Sequence, residues 1–312
     1  MLKNSKPILV VPGDPKSIFF EIFFKSFQKS RKPLILITNK KLINNQMKMV
    51  KVNFILNQIK ETEIFSYKFN KKKINFINVN YEKSHSKKYI NSCFKIALKI
   101  LKKDNEIKLI NGPINKEKFL NKKYHGITEY LAAHTKNKEV VMLIYNKKLA
   151  VSPLTTHIPL KKVHINISKK KIINHVNKIQ EFYKFNFNKK PKIALTGLNP
   201  HCESNFINSE EKKIIYPAIK YLRSNGFNVS GPFPADTIFL KKNYEKYDVI
   251  LGMYHDQVLS PIKSIFGFKA INITLGLPFT RVSPDHGPNV KMFGKNLSNP
   301  DSLIESIKFL NN

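Results

Sequence analysis

The sequence predicts an α/β protein built on a largely parallel sheet. Short apolar runs of strand length recur along the chain and alternate with longer amphipathic stretches, the pattern of strand–helix units. At 312 residues and 42% hydrophobic content, the chain also has room for two domains or one large one, with ample core. The strand-like runs, in order, are "PILVVP" (7–12), "PLILIT" (34–39), "INFINV" (74–79), "IKLING" (107–112), "VVMLIY" (140–145), "LAVSPLT" (149–155), "KIALTG" (192–197), "DVILGM" (248–253) and "AINITLG" (270–276). Between them, residues 86–102 place Ile90, Cys93, Ala97, Leu98 and Leu101 at helical spacing. A second helical stretch, 209–225, opens on Ser209-Glu210-Glu211 as cap and acidic first turn and closes at Gly226.

The bulk numbers bound the function. No apolar run approaches the roughly 18–20 residues of a membrane span. The start, "MLKNSKPILVVPGDP", is too short in its apolar part for a signal peptide and reads as a first strand entering a turn. Two cysteines, Cys93 and Cys202, make no disulfide framework, which points to a reducing cytoplasm. Lysine plus arginine number 55 against 21 acidic residues, a net charge of +34 that raises the question of a nucleic-acid or membrane-surface partner. The lysines are dispersed in short groups such as 70–75, 168–173 and 187–192, and no helix-turn-helix, zinc-finger or aromatic RNA-binding signature accompanies them. A solvated, lysine-rich surface is the reading taken.

In open α/β sheets ligands bind beyond the carboxyl ends of strands. Three strand-like runs end on a histidine: "AVSPLTTH" on His157, "KIALTGLNPH" on His201 and "DVILGMYH" on His255. The spacing matches no compact metal motif, and any one of them reads equally well as a strand-end residue bonded to backbone. Three imidazoles carried to one sheet edge, however, could converge on one divalent cation. Asp256 and Asp236 could serve as supporting carboxylates or proton acceptors. Lys263, Asn272 and Arg281 follow as anion-handling residues, and Arg281 carries more information because this chain rarely uses arginine. Its surroundings, "GLPFTRVSPDHG", are rich in turn residues and read as a structured loop. "NGPINKEKF" (111–119) leaves a strand for an apparent helix, and "HGITEYL" (125–131) puts Thr128 and Glu129 at a helix start, where backbone amides welcome an anion.

Taken in order, "PGDP", "NGPINKE", "GITEYL", "TTHIPLKKV", "GLNPH", "GPFPADTIF", "MYHDQVLSPIK" and "GFKAINITLGLPFTRVSPDHG" resemble the PdxA family of 4-hydroxythreonine-4-phosphate dehydrogenases of vitamin B6 synthesis, over nearly the whole length. The resemblance implies two α/β/α domains as in isocitrate and isopropylmalate dehydrogenases, 1–125 plus 277–312 and 126–276, with an active-site cleft between them. It implies a homodimer with a shared active site, NAD or NADP as cofactor and a divalent metal, with zinc, cobalt and magnesium all open. By position, His157, His201 and His255 would be metal ligands contributed across the dimer interface. Thr128, Lys263, Asn272 and Arg281 would hold the phosphorylated substrate. Lys263, Asp236 and Asp256 would be the catalytic residues near the reacting centre, with the identity of the base left open, and the resemblance assigns no cofactor contacts.

This chain departs from the family pattern at four places. The usual "GHTE" is Gly126-Ile127-Thr128-Glu129, so a hydrogen-bonding side chain is lost at Ile127, with His125 two positions earlier as a compensating group. The later glycines of "GDPxGIGPE" are gone from Gly13-Asp14-Pro15-Lys16-Ser17-Ile18-Phe19-Phe20-Glu21, and Phe19 and Phe20 must be accommodated by repacking. The glycine-rich loop after "GLNPH" is replaced by Cys202-Glu203-Ser204-Asn205, and Lys291 stands where an acidic residue is usual. Two other readings stay open: a related dehydrogenase for threonate or erythronate phosphate, and a basic, noncatalytic relative that binds nucleic acid.

Overall fold

A computed structural model describes residues 5–65, 69–115, 119, 124, 126–137, 139–202 and 207–311. The chain divides into two compact units, Met1–Lys138 with Leu277–Asn312, and Glu139–Gly276. Residues 126–137, Thr128 among them, therefore fall in the first unit, on the other side of the boundary expected at 125/126.

In chain order the first unit carries β1 (Ile8–Val11), α1 (Phe19–Ser26), β2 (Leu34–Thr38), α2 (Lys40–Met49), β3 (Leu56–Gln58), β4 (Ile74–Asn78), α3 (Ser86–Lys103), β5 (Lys108–Asn111) and α4 (Ile127–His134). The second unit carries β6 (Val141–Tyr145), β7 (Ala150–Pro153), α5 (Lys169–Phe187), β8 (Ile193–Thr196), α6 (Tyr216–Ser224), β9 (Val229–Phe233), β10 (Val249–Gly252), α7 (His255–Phe266) and β11 (Ile271–Leu275). The chain then returns to the first unit for β12 (Arg281–Pro284) and α8 (Asp301–Asn311). No helix among the described residues is long and apolar enough to cross a membrane.

The strands of the first unit run β3-β4-β2-β1-β5-β12, all parallel. Every residue of β1 and β2 is buried, on both faces of the sheet, which is why these runs are apolar without alternation. α3 buries Tyr89, Ile90, Cys93, Phe94, Ala97, Ile100 and Leu101, one stripe at helical spacing. The phenylalanines of α1 and its C-cap form a ladder: Phe19 on Phe23, Phe20 on Phe24 and Phe23 on Phe27, with ring centroids 6.4, 6.2 and 5.7 Å apart. Phe19 and Phe20 are completely buried. Room for Phe19 comes from Gly112, where a Cβ would stand 2.5 Å from its ring. The amino end of α1 is closed by the chain itself: Ile18 N–H donates to the Pro288 carbonyl at 3.1 Å and Phe19 N–H to Ser17 Oγ at 3.4 Å. Glu21, buried within α1, accepts from Lys25 Nζ at 2.8 Å and from the Ser298 amide at 2.5 Å, tying the returning segment to the first helix.

The second unit's strands run β11-β6-β7-β10-β8-β9. β6 is antiparallel to both neighbours, because β6 and β7 are joined by a tight turn at Asn146, and the remaining pairs are parallel. α5 is capped by Ser168, whose side chain accepts from Lys171 N–H, and ends at Asn188 in the left-handed conformation. Two expectations are revised. The helix expected over 209–225 opens with a wider π turn, Glu211–Ile215, before α6 begins. The run read as a structured loop contains β12, which pairs with β5 through Arg281↔Leu109 and Val282↔Ile110.

Candidate functional site

In the second unit β7, β10 and β8 are adjacent and parallel, so their carboxyl ends lie side by side. His157, His255 and His201 each follow one of these ends. His255 is the first residue of α7, and its ring centroid lies 5.9 Å from that of His157. Its Nδ1 is 2.6 Å from Asp256 Oδ1. With a carboxylate on Nδ1, the proton sits there and Nε2 keeps the lone pair that a metal needs. His157 and His201 both have positive φ, 46° and 55°, as has Cys202 at 57°. Non-glycine residues held in this region carry strain that clusters at functional sites.

The third histidine does not join the other two within one chain. Among the described residues, no three of His, Cys, Asp and Glu come close enough together to hold a metal ion. Asp236, on the short helical turn Ala235–Ile238, and Asp256 are exposed, as is Lys263 farther along α7. Asn272 lies on β11 opposite Ile144, and its Oδ1 is buried with no hydrogen-bond partner among the described residues. A buried amide oxygen in that state is a costly feature unless a ligand donor completes it.

The loops that carry the histidines are firmly tied. Thr155 Oγ1 donates to the Met253 carbonyl at 2.8 Å. Gln257 Oε1 accepts from Thr196 Oγ1 at 2.8 Å and Met253 N–H at 2.7 Å, while its Nε2 donates to the Gly197 carbonyl at 2.8 Å. Glu211, completely buried, accepts from Leu198 N–H, Asn199 N–H and Asn199 Nδ2 at 2.8, 2.9 and 2.9 Å. Burial alone would push this carboxyl up, but the bonds from Asn199 and Leu198 outweigh it and hold it below the usual range.

In the first unit, Thr128 and Glu129 sit in the first turn of α4, whose N-cap is Gly126. Arg281 opens β12 and is 1% exposed. Its Nε donates to Asn111 Oδ1 at 2.6 Å, and its Nη1 lies 3.5 Å from Thr128 Oγ1. Burial lowers the guanidinium to about 10 and the nearby Glu129 carboxylate opposes this, so it stays charged at neutral pH. Ile127, the first residue of α4, is half-buried, and Lys291 is exposed on a short turn. His125, Glu203, Ser204, Asn205 and part of the "NGPINKEKF" helix lie outside the described residues.

The structure thus brings together His157 with His255, and Arg281 with Thr128. Asn111 and Gln257 were not singled out from the sequence, and Glu211 was read only as part of a helix's acidic first turn. Gln257 stands within the "MYHDQ" segment and Asn111 opens "NGPINKE", so position within a quoted motif was the available signal.

The model of a family described as "Pyridoxal phosphate biosynthetic protein PdxA" matches residues 29–310. A 4-hydroxythreonine-4-phosphate dehydrogenase of Sulfurihydrogenibium sp. is 38% identical over an alignment covering 96% of each chain. The crystal structure of a 4-hydroxythreonine-4-phosphate dehydrogenase from Klebsiella pneumoniae superposes with a TM-score of 0.82, at 27% identity, covering 98% of each chain. A terephthalate 1,2-cis-dihydrodiol dehydrogenase from Burkholderia xenovorans shares the fold, with a TM-score of 0.65 at 19% identity and coverage of 98% of this chain and 97% of that one.

Proposed function

This chain belongs to the family of the pyridoxal phosphate biosynthetic protein PdxA, and on that premise we propose that it oxidises 4-hydroxythreonine 4-phosphate to the 3-keto acid, which then decarboxylates. The observation that carries the reading is the pairing of His157 with His255, ring centroids 5.9 Å apart, with Asp256 Oδ1 2.6 Å from His255 Nδ1.

The donor set fits a divalent metal. Two imidazoles lie with ring centroids 5.9 Å apart and a carboxylate bonds one of them. His201, which no described group of one chain completes, is the ligand that a second copy supplies in the proposed homodimer. Zinc and cobalt suit three imidazoles, and magnesium enters only if carboxylates join. When bound, the metal supplies positive charge beside the substrate oxygens and the nicotinamide, NAD or NADP, supplies the hydride acceptor.

The chain's own groups do the rest. Arg281 contributes a fixed charge beside Thr128 at the amino end of α4, where an anionic phosphate is favoured. Lys263 adds a second cation, and the buried Asn272 Oδ1 accepts a donor from the substrate. The substrate hydroxyl gives its proton to a side-chain base while its carbon gives up a hydride. Asp256 is committed to His255, which leaves Asp236 as the proton acceptor while Lys263 is a cation, or Lys263 itself where it meets the substrate as a neutral amine. Cys93 is buried, and burial pushes its thiol up to about 12, an inert state that suits a reducing cytoplasm.

Ile127 favours keeping a second substrate in view, because it presents no hydrogen-bonding group at the start of α4. The test is nucleotide reduction by the purified chain with NAD or NADP and a divalent metal, with and without chelator. 4-Hydroxythreonine 4-phosphate, erythronate 4-phosphate and threonate 4-phosphate are compared as substrates. Chelator-sensitive reduction with the first is expected; turnover only with another four-carbon acid phosphate would replace the substrate. No reduction with any of them would overturn the enzymatic reading.

A further inference from the structure

We infer that Gln257 and Glu211 are positioning residues that fix the His255 turn and the His201 loop, each of which presents its ligand to one of the proposed dimer's metal sites, so that the chain's affinity for a divalent metal depends on them. The inference rests on the metal-site reading above.

The argument begins where the sheet stops. β10 and β8 pair through Val249↔Ile193, Ile250↔Ala194 and Leu251↔Leu195. Beyond that last pair one strand leads on toward His255 and the other toward His201. Gln257 joins them as a side-chain rung. Its oxygen takes a donor from each segment, Met253 N–H on one and Thr196 Oγ1 on the other, and its nitrogen gives a bond to the Gly197 carbonyl. An amide is the side chain that can accept from two groups on one atom and donate from the other in this way.

Glu211 carries the same restraint onward. Its carboxylate takes the amides of Leu198 and Asn199 and the Asn199 side chain, so the backbone is held up to the turn Pro200–Cys202. There His201 and Cys202 both adopt the left-handed conformation, which persists only where the surroundings over-determine it. Packing agrees: a Cβ at Gly197 would stand 2.8 Å from Cys202 Sγ and 3.1 Å from Glu211 Oε1. Thr196 and Glu211 are both completely buried, so water does not compete for these bonds. Neither Gln257 nor Glu211 has to touch the metal; each fixes the backbone from which a ligand projects.

The experiment is cobalt(II) binding to the full chain, by equilibrium dialysis and by the visible absorption of the bound ion. Parent, Gln257→Met and Glu211→Gln proteins are compared, with circular dichroism as the check on folding. Gln257→Met keeps the length of the side chain and removes all three bonds. It is expected to weaken cobalt binding about 10-fold or more, the range typical when the groups that orient ligands are lost. Glu211→Gln, which cannot satisfy all three donors, should weaken it in the same direction. Lost turnover should return at saturating metal, which a general loss of structure would not allow. If Gln257→Met does not fold, Thr196→Val removes one of the three bonds at constant shape and carries the same prediction. Folded variants that bind cobalt as the parent does would overturn the inference alone. A parent chain that binds no cobalt would overturn the metal site and this inference together.

Discussion

Replacing Asn111 by leucine tests the buried pair that orients Arg281. The two side chains are 2% and 1% exposed, and they meet through one short bond, Nε–H to Oδ1 at 2.6 Å. Leucine has nearly the same shape as asparagine, so the change removes an acceptor without opening a cavity. A hydrogen bond to a charged group contributes about 1.5–3 kcal/mol, and here the abandoned N–H is shut away from water. The expected loss is about 2–3 kcal/mol, short of the roughly 3–5 kcal/mol seen when a buried charge loses a charged partner. In thermal unfolding this corresponds to a drop of roughly 5–10 °C for a unit of this size. The assay is urea unfolding of parent, Asn111→Leu, Arg281→Met and the double variant. The double variant should lose less than the sum of the single losses, because neither member of the pair is left without the other, while the loss of Arg281's charge beside Glu129 remains. A loss below about 0.5 kcal/mol for Asn111→Leu, the size of an ordinary surface change, would refute the reasoning.

Two other outcomes follow. His255→Ala should abolish chelator-sensitive nucleotide reduction while shifting the unfolding free energy by no more than about 0.5 kcal/mol, since the side chain is partly exposed, at 37%; full activity in that variant would remove His255 from the metal site. His175 is buried in α5, and burial lowers it from 6.5 to about 4, so the folded chain holds it neutral while the unfolded chain protonates it below pH 6.5. The stability tied to this group is therefore complete above pH 6.5 and is lost as the pH falls toward 4, a change of about 3 kcal/mol. Urea unfolding at pH 7.5 and 4.5 should show a smaller difference for His175→Leu than for the parent, and an equal difference would contradict the burial argument.

What could be read from the sequence was what neighbours in sequence decide. "KIALTG" and "DVILGM" announce themselves because central parallel strands are apolar on both faces, as β8 and β10 are. The histidines were legible because they interrupt such runs. β3, β9 and β12 were not: β3 is three residues long with Asn57 and Gln58 in it, β9 includes Gly231-Pro232, and β12 ends on Pro284 and owes its existence to β5, far away in the chain. The hidden part of the site has the same cause. Arg281 meets Asn111 across 170 positions, and Gln257 meets Thr196 across 61. Nothing beside an asparagine or glutamine in a sequence says which distant group its amide will meet. The helix expected over 209–225 was read correctly for its apolar spacing, but the π turn at Glu211–Ile215, which accompanies the buried Glu211, leaves no mark in that spacing.

The phenylalanine ladder of α1 bears on where a dinucleotide could sit. In many nucleotide-binding sheets the bend after the first strand is an open phosphate cradle, lined by glycine and by unspent amides at a helix start. Here that bend is plugged: Phe19 lies against Gly112, and the amides of Ile18 and Phe19 are already spent on Pro288 and Ser17. A pyrophosphate has no berth there without evicting protein acceptors. Footprinting of a bound nicotinamide cofactor on this chain should therefore leave the segment around Ser17–Phe20 unprotected and mark other backbone.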